Sequence, residues 1–96
     1  MNERKNDTVL ELMLKNHSGA MMHVCSLFAR RVFNVDGILC VPAGDGSRSR
    51  LWLRVRNDAR LHQMMKQLEK LEDVLSVRRA GPSSKAFTNV EERFIE

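Results

Sequence analysis

Apolar residues alternate along Thr8–Lys15 (TVLELMLK), with Leu10, Leu12 and Leu14 on one face. Val9 and Met13 share the other face with Glu11 and Lys15. That pattern predicts a largely buried strand. The polar, turn-forming run Asn16-His17-Ser18-Gly19 follows, with Ser18 as the expected N-cap of a helix. Over Ala20–Phe33 the period lengthens: Met21, Val24, Cys25, Phe28 and Val32 form one stripe, widened by Leu27. Asn34 is the expected left-handed stop. Val35–Val41 reads as a second strand, ended by Pro42, which has no N–H to donate. Asp45-Gly46 signals a hairpin turn. Ser49–Arg56 (SRLWLRVR) alternates cleanly: Leu51, Leu53 and Val55 face one way, Arg50, Trp52, Arg54 and Arg56 the other. Asn57-Asp58 is expected to cap a second helix, about Ala59–Leu71, with Leu61, Met64, Met65, Leu68 and Leu71 as its apolar stripe. A fourth strand spans Asp73–Ala80.

The order β-α-β-β-α-β, with right-handed crossovers, predicts an α+β, ferredoxin-like fold. Four antiparallel strands form one sheet and both helices cover one of its faces. Leu51, Leu53 and Val55 must point at the helices, so Arg50, Trp52, Arg54 and Arg56 lie on the bare face. Residues 1–7 are expected to be a flexible N-terminus, 8–80 the domain, and 81–96 a linker and tail. Phe87, Val90, Phe94 and Ile95 suggest that the tail docks, on this chain or on a partner.

Ninety-six residues allow one domain, which buries about 60–65% of the surface its unfolded chain exposes. Stability is therefore expected to be marginal, and partners are expected. Net charge is +4, and the surplus is uneven: Arg48, Arg50, Arg54, Arg56 and Arg60 face only Asp58 within 48–60. Such a strand region suits an acidic partner surface or nucleic acid. No apolar run reaches the roughly 18 residues of a membrane span, and no secretory signal is visible, so a cytoplasmic protein is expected. Cys25 and Cys40 are too few for a disulfide framework and read as reduced, packed thiols.

No nucleophile–base pair and no metal constellation emerge, since His17, His23 and His62 are scattered. An RNA-recognition reading has the right sheet, but the third strand offers one aromatic where such modules offer several. The turn Asn16-His17-Ser18-Gly19-Ala20 carries the clearest chemistry. A helix N-terminus offers free N–H groups to a carboxylate, and Gly19 lets a ligand approach the backbone. Asn16 can accept from an ammonium and donate to a carboxylate. Val35 and Ile38 could supply an apolar pocket. These features together suit a zwitterionic amino acid, although a plain strand–helix turn has the same spacing.

The run from Glu11 to Cys40, ELMLKNHSGAMMHVCSLFARRVFNVDGILC, closely resembles the ACT domain of the small, regulatory subunit of acetohydroxyacid synthase (acetolactate synthase). The NHSG turn, the LFARR helix end and FNVDGI match in order and spacing, and Leu68–Arg79 resembles the end of the same domain. Total length is similar to the family's short isozyme I type. The resemblance implies a non-catalytic subunit that raises the activity of a large subunit and confers feedback inhibition by valine. It implies no cofactor on this chain, with thiamine diphosphate, FAD and Mg²⁺ on the large subunit. It also implies a homodimer of ACT domains with effector sites at the interface. Asn16, Gly19, Ala20, Asn34 and Val35 match the family's effector-site residues, with backbone contacts from His17 and Ser18. Most members have a second domain, so here the ACT domain and tail are expected to hold the catalytic subunit. The expected docking surfaces are Arg50, Trp52, Arg54 and Arg56, and the tail residues Phe87 and Phe94. A free-standing amino-acid sensor with another partner and an RNA-binding module are the alternatives; neither nucleic acid nor membrane is expected under the first reading.

Overall fold

A computed structural model describes residues 7–80 and Phe87. The segment 1–6, the linker 81–84 and the rest of the tail, Phe94 included, lie outside the described residues. The chain runs β1 (Asp7–Lys15), α1 (Ala20–Arg30), β2 (Val35–Ala43), β3 (Arg48–Arg56), α2 (Leu61–Glu69) and β4 (Val74–Arg79). One antiparallel sheet has the order β2-β3-β1-β4, the ferredoxin-like arrangement.

The alternation in the central strands sets the core. Leu10, Leu12 and Leu14 of β1 and Leu51, Leu53 and Val55 of β3 are sealed from solvent. They meet Val24, Leu27 and Phe28 of α1 and Leu61, Met64 and Leu68 of α2. Met21, Met65 and Leu71 are only partly buried; the buried face of α1 takes in Ala20 as well, while in α2 the buried Leu61, Met64 and Leu68 all belong to the expected stripe.

The ends of the elements differ from expectation for identifiable reasons. Helix α1 stops at Arg30, and the left-handed residue is Val32 (φ 53°), not Asn34. The Phe33 N–H donates to the Phe28 carbonyl (3.0 Å) and the Val32 N–H to that of Ala29 (3.1 Å), a Schellman pair of bonds. Burial drives this stop. It turns Phe33 back into the core, edge-to-face on Phe28 with centroids 5.8 Å apart, and leaves Val32 81% exposed. A β-branched residue in this conformation is strained. Val32→Gly should therefore stabilise the fold by about 1 kcal/mol, the relief exceeding the added freedom of the unfolded chain. The midpoint of urea unfolding at unchanged slope measures it.

Strand β2 does not end at Pro42, because Pro42 and Ala43 still pair with Ser49 and Arg48. An edge strand tolerates a missing donor. Ser18 is not the N-cap of α1; Gly19 is, without a side-chain capping bond. Asp58 accepts the Arg60 N–H (2.8 Å) one turn before α2, whose N-cap is Arg60. Asp73 precedes β4 instead of opening it.

Candidate functional site

The turn between β1 and α1 is fixed from two sides. On the hairpin side, the Asn16 N–H donates to the Ser47 carbonyl (3.0 Å) and Asn16 Nδ2 to that of Gly46 (2.7 Å). Asn16 Oδ1 can still accept from an ammonium group. On the other side, His17 Nε2 donates to Asp73 Oδ1 and His23 Nδ1 to Asp73 Oδ2, each at 2.6 Å. The Lys15 N–H adds a bond to the Asp73 carbonyl (2.9 Å). One buried carboxylate is thus clamped between two half-exposed imidazoles.

His17 also engages the amides assigned to a ligand. The Gly19 N–H donates to His17 Nδ1 (3.2 Å) and the Ala20 N–H to the His17 carbonyl (3.2 Å). Because Nδ1 accepts, Nε2 carries the ring proton and donates the hydrogen bond to Asp73. Gly19 itself has ordinary helical angles (φ −94°, ψ −10°), so its value at this position is space, not conformation. A Cβ there would lie in ordinary contact with the His17 and His23 rings, 3.7 Å from each Cε1.

The His17–Asp73–His23 cluster has no local signal in the sequence, because its members are 50 and 56 residues apart. The His17 hydrogen bond holds the Asp73 carboxyl below its ordinary value of 3.8, partly offset by burial and reinforced by His23. A carboxyl lowered on folding contributes stability that is present above the unfolded value and lost as pH falls through the folded one. The clamp should therefore weaken below about pH 4. In acid unfolding, wild type should lose stability there more steeply than Asp73→Asn, which has no charge to neutralise.

The second half of the predicted site lies at the other end of the sheet. β1 and β2 both run antiparallel to β3, with Val35 opposite Val55 and Lys15 opposite Arg48. At the usual rise of a strand, that span of β3 separates the two groups by about 23 Å. Asn34 instead lines a cleft of about 430 Å³ with Val32, Phe33, Arg56, Asp58 and Arg60. Ile38 is 43% exposed on β2, whose outer edge has no strand beside it in the described sheet. So the chain brings Asn16, His17, Ser18, Gly19 and Ala20 together and keeps Asn34, Val35 and Ile38 apart from them.

The face of the sheet away from the helices carries the arginines as expected. Glu11 lies between Arg50 (3.3 Å) and Arg78. The Arg50 guanidinium lies 5.9 Å from the Trp52 ring and that of Arg54 lies 5.2 Å from the Phe87 ring. Phe87 is buried, and a Cβ on Gly37 would come within 2.7 Å of its ring. Phe87, the one described residue of the tail, thus lies against the arginine face of the sheet. Among the described residues no three His, Cys, Asp or Glu side chains form a metal site, and no helix is long and apolar enough to cross a membrane.

Residues 10–76 match the family model described as the AHAS small subunit-like ACT domain. The chain is 48% identical over 89 residues to the acetolactate synthase isozyme 1 small subunit of Escherichia coli K12, covering 93% of each. It is 40% identical over 70 residues to the acetolactate synthase small subunit of Haemophilus influenzae, covering 72% of this chain and 43% of that one. The crystal structure of the Thermotoga maritima small subunit superposes with a TM-score of 0.72 at 31% identity, covering 82% of this chain and 50% of that one. The chain thus spans about half the length of these longer relatives. The ACT domain of Chlorobium tepidum GTP pyrophosphokinase, at 21% identity and a TM-score of 0.62, shows the shared fold alone.

Proposed function

We propose, because this chain belongs to the acetolactate synthase small-subunit family, that it is the regulatory subunit of an acetolactate synthase. It raises the activity of a catalytic large subunit and confers feedback inhibition by L-valine, in the cytoplasm, as part of branched-chain amino-acid synthesis. Thiamine diphosphate, FAD and Mg²⁺ reside on the large subunit, and this chain supplies no catalytic group. The observation that carries the reading is 48% identity over 93% of both chains to a small subunit of the same short type.

The geometry supports a homodimer with the effector at its interface. Neither half of the site is complete in one chain, and the exposed edge of β2 carries Ile38 and Val41. Pairing two β2 edges antiparallel sets residues 34–38 of one copy beside the hairpin end of the other. That end is where Asn16 bonds to Gly46 and Ser47. Pro42, which cannot donate, limits how far such pairing extends. The effector carboxylate then lies on the turn amides near Gly19 and Ala20, with Asn16 and Asn34 holding polar atoms. Val35 and Ile38 meet the isopropyl group. A ligand shifts an equilibrium only by its differential affinity for the two states. L-valine therefore inhibits by favouring a dimer geometry that engages the catalytic subunit differently.

Calorimetric titration of the dimer with L-valine and D-valine, followed by activity of the reconstituted holoenzyme with and without L-valine, tests this reading. Saturable binding of the L enantiomer alone, with activation by this chain and inhibition by L-valine, is expected. Activation without any response to L-valine would remove the effector assignment and leave the partner assignment standing.

A further inference from the structure

We propose that Asp73 is a positioning residue that closes the effector turn. Through His17 it holds an imidazole nitrogen against the Gly19 N–H, and an amino-acid carboxylate reaches that amide only by displacing it. The inference rests on the effector reading above and adds its regulation.

The argument begins with the donors. Gly19 gives its N–H to His17 Nδ1 and Ala20 gives its N–H to the His17 carbonyl, both at 3.2 Å. One residue therefore occupies the two amides a carboxylate needs. The His17 ring is half exposed and, left alone, would rotate freely. Asp73 prevents this, because its Oδ1 accepts a hydrogen bond from the Nε2–H at 2.6 Å and thereby fixes both the ring orientation and the tautomer. Asp73 is itself immobilised. Its other oxygen holds His23 (2.6 Å), its carbonyl holds the end of β1 (2.9 Å), and it is 6% exposed. A carboxylate is a stronger acceptor than a neutral imidazole, so an incoming ligand can win the Gly19 amide. It does so against the hydrogen bonds that hold His17. Displacement also frees one oxygen of Asp73, directly before β4, so occupancy is felt at the opposite edge of the sheet from β2.

A residue that merely supports the turn would lower ligand affinity when changed. A residue that closes the turn would raise it. The full chain is compared with Asp73→Asn and with His17→Ala, whose side chain is exposed enough for the fold to survive its loss. Nitrogen-15 spectra of the histidine rings and hydrogen exchange of the Gly19 amide are read without ligand, and L-valine affinity by calorimetry. Wild type should show an unprotonated Nδ1 on His17 and a protected Gly19 amide. Both variants should expose that amide and bind L-valine about two- to tenfold more tightly, the range given by the one neutral hydrogen bond released, from the Gly19 N–H to His17 Nδ1. Exposed Gly19 amides with unchanged or weaker L-valine binding would overturn the closure and leave the effector site in place. No L-valine binding by any of the three, with or without the catalytic subunit, would overturn the effector reading and the closure with it.

Discussion

Gly19→Asp should abolish inhibition of the holoenzyme by L-valine while activation survives. Two carboxylates about 4 Å apart repel by about 4 kcal/mol at the effective dielectric of a protein surface. That corresponds to roughly a thousandfold loss of affinity. The fold has no reason to suffer. Gly19 already has helical angles, and its Cβ position is in ordinary contact with two imidazole rings. At the N-terminus of α1 an aspartate also sets a negative charge against the positive end of the helix dipole, which should stabilise the fold by about 0.3–1 kcal/mol. Loss of inhibition with a raised melting temperature is a pairing that general damage cannot produce. Wild-type inhibition in this variant would mean that the carboxylate binds elsewhere. Gly19→Ala is the control, since it adds bulk without charge.

Arg54→Glu should raise the concentration of this chain needed for half-maximal activation by at least about tenfold, with L-valine affinity unchanged. Among the described residues the open face carries Arg50, Arg54, Arg56 and Arg78, with Glu11 held between Arg50 and Arg78. A face so rich in arginine suits an acidic surface on the catalytic subunit. Arg54 is the cleaner probe of the pair Arg54 and Arg56, because Arg56 shares a cleft with Asn34. Charge reversal at Arg56 should disturb both activation and inhibition. Arg54 also stacks on Phe87, so Phe87→Leu separates the loss of charge from the loss of the stack. Full activation by Arg54→Glu would move the docking surface off this face.

The central sheet was legible because alternation is a local property. Each apolar residue of β1 and β3 states its own face, and the six fully buried positions there are those the pattern names. The end of α1 was not legible, because its stop depends on what Phe33 must reach. Burial of that ring imposed a left-handed Val32 that no propensity favours. The turn at Asn16–Ala20 was visible as chemistry, yet the clamp behind it was not. His17 and Asp73 lie 56 residues apart, and a lone aspartate before a strand has no pattern to announce it. The separation of the two half-sites follows from strand polarity. Composition and motif spacing carry no polarity, so the residues read as one pocket until β1 and β2 are laid beside β3.

Sites divided between the two ends of a sheet make sensing a property of encounters. In the proposed dimer each chain lends its turn to one pocket and its β2 start to the other. Dilution then erodes the response to L-valine even though no residue has changed, and L-valine in turn holds the copies together. Two defective chains can also repair each other. A chain altered at the turn and a chain altered at Asn34 each form dead pairs with themselves. Mixed together, they assemble one pocket carrying both defects and one carrying neither.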